Sequence, residues 1–138
     1  MFARLLCFLL LSFVAQEGHP AKGTWVGYWG PTATENRLVI VMDYDGKNIS
    51  GAVNPGANAV PIKLALLDII PGKPPAKPTD PPNEPTFKLH IEAEGKSTMI
   101  VADGTMRDVG LPGRVMVGTW TQTSAGKTIK GDFRISRQ

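Results

Sequence analysis

The chain has 138 residues, a formal net charge of +3 and one cysteine, Cys7. That length suits a single domain with its own hydrophobic core, and a lone cysteine excludes a disulfide frame or a thiolate metal cluster. Lysines and arginines are scattered among acids, with no basic run and no basic stripe carrying aromatics, so nucleic acid is not expected as a partner.

Met1 to Arg4 is a short basic start, and Leu5 to Val14 is an apolar run of the length found in secretory leaders. A membrane span needs roughly 20 apolar residues, so this run is too short to cross a bilayer. Polar Gln16-Glu17-Gly18-His19 follows. The pattern predicts a signal peptide over 1–20, cut between Ala15 and Ala21, and a secreted or periplasmic domain over 21–138 with no membrane span. Cys7 is followed by Phe8-Leu9-Leu10-Leu11 rather than a polar stretch, which argues against a lipid anchor. The mature domain then has no cysteine, which fits a bacterial exported protein better than a disulfide-stapled eukaryotic one.

Eight extended segments and no helix are predicted beyond the leader. Thr24 to Trp29 and Arg37 to Tyr44 come first, joined through Asp45-Gly46-Lys47, a hairpin turn by its chemistry, to Asn48 to Val53. Asn54-Pro55-Gly56-Ala57-Asn58 is a loop, and Val60 to Ile70 is the fourth segment. Pro71 to Pro85 holds seven of the twelve prolines, and their missing donors keep it out of any ladder. It reads as a stiff surface insertion in a hairpin loop; a lid over a barrel mouth and a docking segment for a protein partner are the alternatives. Thr86 to Glu94 alternates cleanly, with Phe87, Leu89, Ile91 and Ala93 on one face. Thr98 to Arg107, Arg114 to Thr121 and Thr128 to Ile135 complete the set.

One small pattern recurs: a glycine, a small or polar residue, then a large apolar one. It stands at Gly23-Thr24-Trp25, Gly51-Ala52-Val53, Gly104-Thr105-Met106, Gly118-Thr119-Trp120 and Gly131-Asp132-Phe133. Residues two apart on a strand share a face, so each bare backbone patch lies beside a group able to cover it. Such glycines let a sheet coil. The fold class predicted is all-β: an antiparallel up-and-down meander of about eight strands closing into a small barrel, which removes its edges.

At Gly23-Thr24-Trp25 the sequence resembles the calycins, meaning lipocalins, avidins and fatty-acid-binding proteins, which open on Gly-x-Trp in the first barrel strand. The resemblance implies that Trp25 packs across one barrel end near a late arginine, here Arg137. The mature chain is shorter than a typical lipocalin, lacks the flanking helix, and has no clear set of polar residues matching a biotin site. Over its mature length the chain is also similar to small exported bacterial proteins without assigned function. It shares with them Gly23 to Gly30, Asp45-Gly46-Lys47 through Asn54-Pro55-Gly56, and Gly131-Asp132-Phe133 through Arg137.

Catalytic groupings are sparse. His90 sits between Lys88 and Glu92 on a polar face, and no Gly-x-Ser-x-Gly occurs. Asp43, Asp45 and Asn48 around Gly46 lack the closing glutamate of a calcium loop. Glu92 and Glu94 share their face with Lys88. No enzyme activity, cofactor or metal is expected. The reading from the residues is non-covalent binding of a small lipophilic ligand inside the barrel, lined by Trp25, Trp29, Tyr44, Phe87, Met99, Met116, Trp120 and Phe133, with Trp25 and Arg137 closing one end. The alternative is a protein-interaction or envelope-associated module with a filled core, using the Pro71 to Pro85 loop or an outer face.

Overall fold

The structure, a computed structural model, describes residues 19–81 and 83–138. The expected leader, apart from His19 and Pro20, and Cys7 lie outside the described residues.

Alternating apolar residues fold into eight strands: β1 (Gly23–Gly30), β2 (Asn36–Tyr44), β3 (Ile49–Val53), β4 (Val60–Ile70), β5 (Thr86–Glu94), β6 (Thr98–Arg107), β7 (Val115–Ser124) and β8 (Lys127–Arg137). Each pairs antiparallel with the next, and β8 returns to β1, so the sheet is a closed up-and-down barrel. There is no helix among the described residues. One end, here called lower, carries the N-terminal residues 19–22, the β2–β3 turn, the proline-rich β4–β5 loop and the β6–β7 loop. The upper end carries the remaining connections.

The five glycine motifs act as their spacing predicts. Trp25, Val53, Met106, Trp120 and Phe133 are all buried inside the barrel. The register adds a cross-strand rule. Met42 lies between Gly23 on β1 and Gly51 on β3. Gly104 faces Gly118 across β6–β7, and Gly118 in turn faces Phe133 on β8. The Phe133 ring reaches over both: a methyl group at Gly104 would sit 2.7 Å from its Cζ and 2.7 Å from Met116 Cγ. Large inward side chains thus cover glycines on neighbouring strands as well as on their own, which lets a tightly coiled sheet keep a full interior.

Two details differ from expectation. β7 and β8 pair out to Ser124 and Lys127, leaving a two-residue turn at Ala125-Gly126 where the expected strands stop at Thr121 and restart at Thr128. Ala125 (φ 50°) and Gly126 (φ 79°) both take positive φ, the geometry that matches hairpin twist. The seam between β3 and β4 is thin. Only Ala52 with Pro61 and Val53 with Val60 are paired there, and a bulge follows between Ile62 and Leu64.

Candidate functional site

The interior is one packed hydrophobic cluster. Trp29 and Trp120 stack at 5.5 Å between centroids, and Phe133 meets Trp120 edge-on at 5.7 Å. Trp120 Nε1 donates to Gln122 Oε1 at 3.2 Å, which satisfies the indole near the upper end. Met116 is buried below them with Leu38, Ile40 and Ile135. An eight-stranded barrel has an interior that side chains can just fill, and the large residues here fill it.

The lower end is closed by the chain's own N-terminal segment. Ala21 is fully buried, and its carbonyl accepts Trp25 Nε1 at 2.9 Å. Arg114 Nη1 donates to the Pro20 carbonyl at 3.0 Å, and Arg137 Nε donates to the Lys22 carbonyl at 2.7 Å. His19 stacks on Tyr44 at 3.9 Å, and burial holds its imidazole below the ordinary range, so it is neutral near pH 7. Burial, and secondarily the Arg137 charge, lower Arg114, whose Nε is buried without a partner among the described residues.

The eight residues expected to line a cavity are thus divided. Trp25, Trp29, Met116, Trp120 and Phe133 are core, the middle of it being the Trp29–Trp120–Phe133 group. Tyr44 and Phe87 are half-buried on the lower rim, Tyr44 on β2 and Phe87 at the start of β5. Met99 is a correction: it is 49% exposed and points outward, because the inward set on β6 is Ile100, Ala102, Gly104 and Met106. Trp25 and Arg137 are register partners across β1–β8. The guanidinium lies over Gly23 and donates to the Lys22 carbonyl, so its partner is backbone rather than the indole face.

Of the concave places that open to solvent outside this core, three lie beside features described above or an ionisable group. A cleft of about 590 Å³ at the lower rim lies between the end of the proline-rich loop and the β6–β7 loop, with Phe87, Met106 and Val109 at its base and Glu84, Arg107 and Asp108 around it. The proline-rich loop has its own neck: Asn83 Nδ2 donates to the Lys73 carbonyl at 2.7 Å, and Gly72 packs on the backbone of Asn83 and Glu84. A second cleft of about 280 Å³ lies in the β3–β4 seam, between Tyr44 and Ile49 on one side and Ala65 and Leu67 on the other. The third is a hollow of about 410 Å³ on the outer face over Gly104, beside His90 and its acidic neighbours. His90 Nδ1 is 2.6 Å from Asp103 Oδ1 across β5–β6, and its Nε2 is 3.5 Å from Glu92 Oε2. The hydrogen bond to Asp103 raises the imidazole above its ordinary value against the opposing effect of burial, with charge from Asp103 and Glu92 adding.

Among the described residues no group of three or more His, Cys, Asp or Glu is placed to hold a metal ion. No helix among them is long and apolar enough to cross a membrane. The plug of residues 19–22 and the thin seam were not foreseen from sequence. The signal for the seam is in β4: Leu64-Ala65-Leu66-Leu67-Asp68-Ile69-Ile70 lacks the alternation that marks a strand with one wet face. Comparison of the chain with protein-family models, with curated proteins and with solved structures finds no match.

Proposed function

We propose that this is an exported, non-catalytic interaction module of calycin-like architecture, whose barrel is a rigid filled frame and whose working surface is its outside. One observation carries this reading: the aromatic residues best suited to hold a ligand pack on one another instead. Trp29, Trp120 and Phe133 form a continuous stack, and the ends are covered by Trp25 with Ala21 below and by Trp29 above. A ligand in that interior would have to displace close-packed aromatic contacts, whose loss costs several kcal/mol. The export part of the proposal rests on the basic start and apolar run of the first 14 residues. The likeness to small exported bacterial proteins of unassigned function agrees with it and adds no activity.

A second reading keeps a small ligand and moves it to the lower rim. The cleft of about 590 Å³ over Phe87, Met106 and Val109 has the size of a small-molecule site and a mixed lining that suits an amphipathic compound. Tryptophan fluorescence titrated with fatty acids and other lipophiles, paired with native mass spectrometry of protein from its own host, separates the two. The interaction reading expects no saturable tryptophan response and no bound mass. A saturable response abolished by Trp120→Leu would place a ligand in the interior and contradict it; one abolished by Phe87→Ala would place it at the rim.

A further inference from the structure

We propose that the free edge of β4, from Leu64 to Ile70, is a strand-addition site for an extended segment of a partner protein; this rests on the interaction reading and names its site. Pairing of β4 to β3 ends at Val60 and Pro61, while pairing to β5 continues through Ile70 with Thr86. Every second residue beyond the bulge therefore turns its N–H and C=O away from β5 with no strand paired to it, the β2–β3 hairpin standing across the seam cleft from Ala65 and Leu67. Such an edge is a template for another chain, and proteins blunt edges with proline, bulges and lysine. All three devices stand at the upper half of this strand: Pro61, the bulge at Ile62–Leu64, and Lys63, paired with Glu94 at 3.2 Å. Below them the only charge is Asp68, and Leu66 (56%) and Ile69 (52%) are exposed along with Leu64 and Ile70.

The surroundings specify the occupant. The seam cleft of about 280 Å³ opens beside this edge, floored by Tyr44, Ile49, Ala65 and Leu67, and takes one apolar side chain of an incoming strand. The next side chain along that strand points outward over Leu66, so apolar residues at alternate positions fit both faces. Lys47 lines the same cleft and has no acidic partner among the described residues, which favours an acidic residue at that end of the segment. The area excludes a stable dimer through this edge alone. Seven residues of strand offer a strip roughly 23 Å by 10 Å, far below the roughly 800 Å² per partner of a standard interface. A single added strand pairs its main chain over that whole length and needs no more.

The test uses the exported domain with fluorescein-labelled peptides roughly eight residues long that alternate valine, leucine or phenylalanine with threonine and carry a terminal glutamate. Saturable anisotropy, with slowed amide exchange confined to Leu64–Ile70, is expected. The double variant Leu66→Lys/Ile69→Lys, at two exposed positions, should weaken it at least about tenfold, while Ile129→Lys, exposed on β8 at the opposite side of the barrel, leaves it unchanged. Peptides N-methylated at alternate amides should not bind. Four results would overturn the proposal: no saturable binding up to about 1 mM by any peptide, equal binding by the N-methylated forms, a dimer in sedimentation that the double variant splits, or binding to phosphatidylglycerol vesicles that it abolishes. Peptide failure with an interior that rejects lipophiles removes only this edge's role. A lipophile bound in the interior removes the filled-frame reading whatever the peptides do.

Discussion

Gly104 and Gly118 face each other across β6–β7, yet a methyl group meets different obstacles at the two positions. At Gly104 it would press on the flexible end of Met116 and the tip of the Phe133 ring, both able to shift. At Gly118 it would strike the backbone carbonyl of Asp103 and the Cα of Gly104, which the sheet holds fixed. Gly118→Ala is therefore expected to cost about 3 kcal/mol and Gly104→Ala about 1 kcal/mol, read from urea unfolding midpoints. Equal costs would contradict the close approach. On the outer face, Asp103→Asn replaces the carboxylate acceptor of the hydrogen bond that raises His90 by a neutral amide oxygen and removes its charge, so the imidazole pKa falls in an NMR titration. Because the folded value is the higher one, the stability His90 contributes is fully present below the unfolded value of about 6.5 and is lost as pH rises through the folded value. The stability gap between the native protein and Asp103→Asn should shrink as pH climbs through that window. A gap that widens would reverse the assignment. Residues such as Trp25, Trp120 and Phe133 were legible from sequence because a glycine two places earlier fixes their face. Met99 was not: its own strand reads apolar on both sides at Met99-Ile100-Val101-Ala102, and only the register through Gly104 and Met106 decides which set turns in.

The strand with strict alternation, β5, was readable to the residue, and β4 and β6 were readable from the turn chemistry that bounds them. β4, β5 and β6 occupy the ranges read from the sequence, whereas β7 and β8 run further because Ala125 adopts a positive φ that composition does not announce. The N-terminal plug was illegible for another reason. Its bonds are donated by side-chain N–H groups up to 115 positions away to the main-chain carbonyls of Pro20, Ala21 and Lys22, and no sequence pattern encodes such a carbonyl. On the proposed export reading, that plug limits where a leader could be cut. Removal of His19 to Lys22 would leave Trp25 Nε1, Arg114 Nη1 and Arg137 Nε without their acceptors, at about 1–3 kcal/mol for each one that stays buried. N-terminal sequencing of the exported protein should therefore find a start at or before His19; a start at Gly23 or later would contradict the plug's role. The proline-rich loop is expected to be dispensable to the frame, since its neck at Gly72, Lys73 and Asn83 already joins the β4–β5 hairpin. Replacing residues 74–82 by a short glycine turn should shift Tm by no more than a few degrees.

At the scale of the whole molecule, the barrel is a ladder of unequal rungs. β6–β7 and β7–β8 pair over ten positions each and β1–β8 over six, while β3–β4 pairs over two. Closure joins β1 to β8, and the thin seam leaves one edge of β4 unpaired beside exposed Leu64, Leu66, Ile69 and Ile70. The closed topology followed from the glycine motifs and the short connections. The seam did not, because β3 is only five residues long against eleven in β4, and that mismatch emerges only when the two are laid side by side. Residue-resolved amide hydrogen exchange on the folded domain tests the arrangement most directly. Amides of β1 and β8 around Trp25, Gly27 and Ile135 should exchange among the slowest in the molecule, and every second amide from Leu64 to Ile70 should exchange orders of magnitude faster. Fast exchange along β1–β8, or uniform protection of β4 through Ile70, would contradict a barrel closed at its ends and open at its seam.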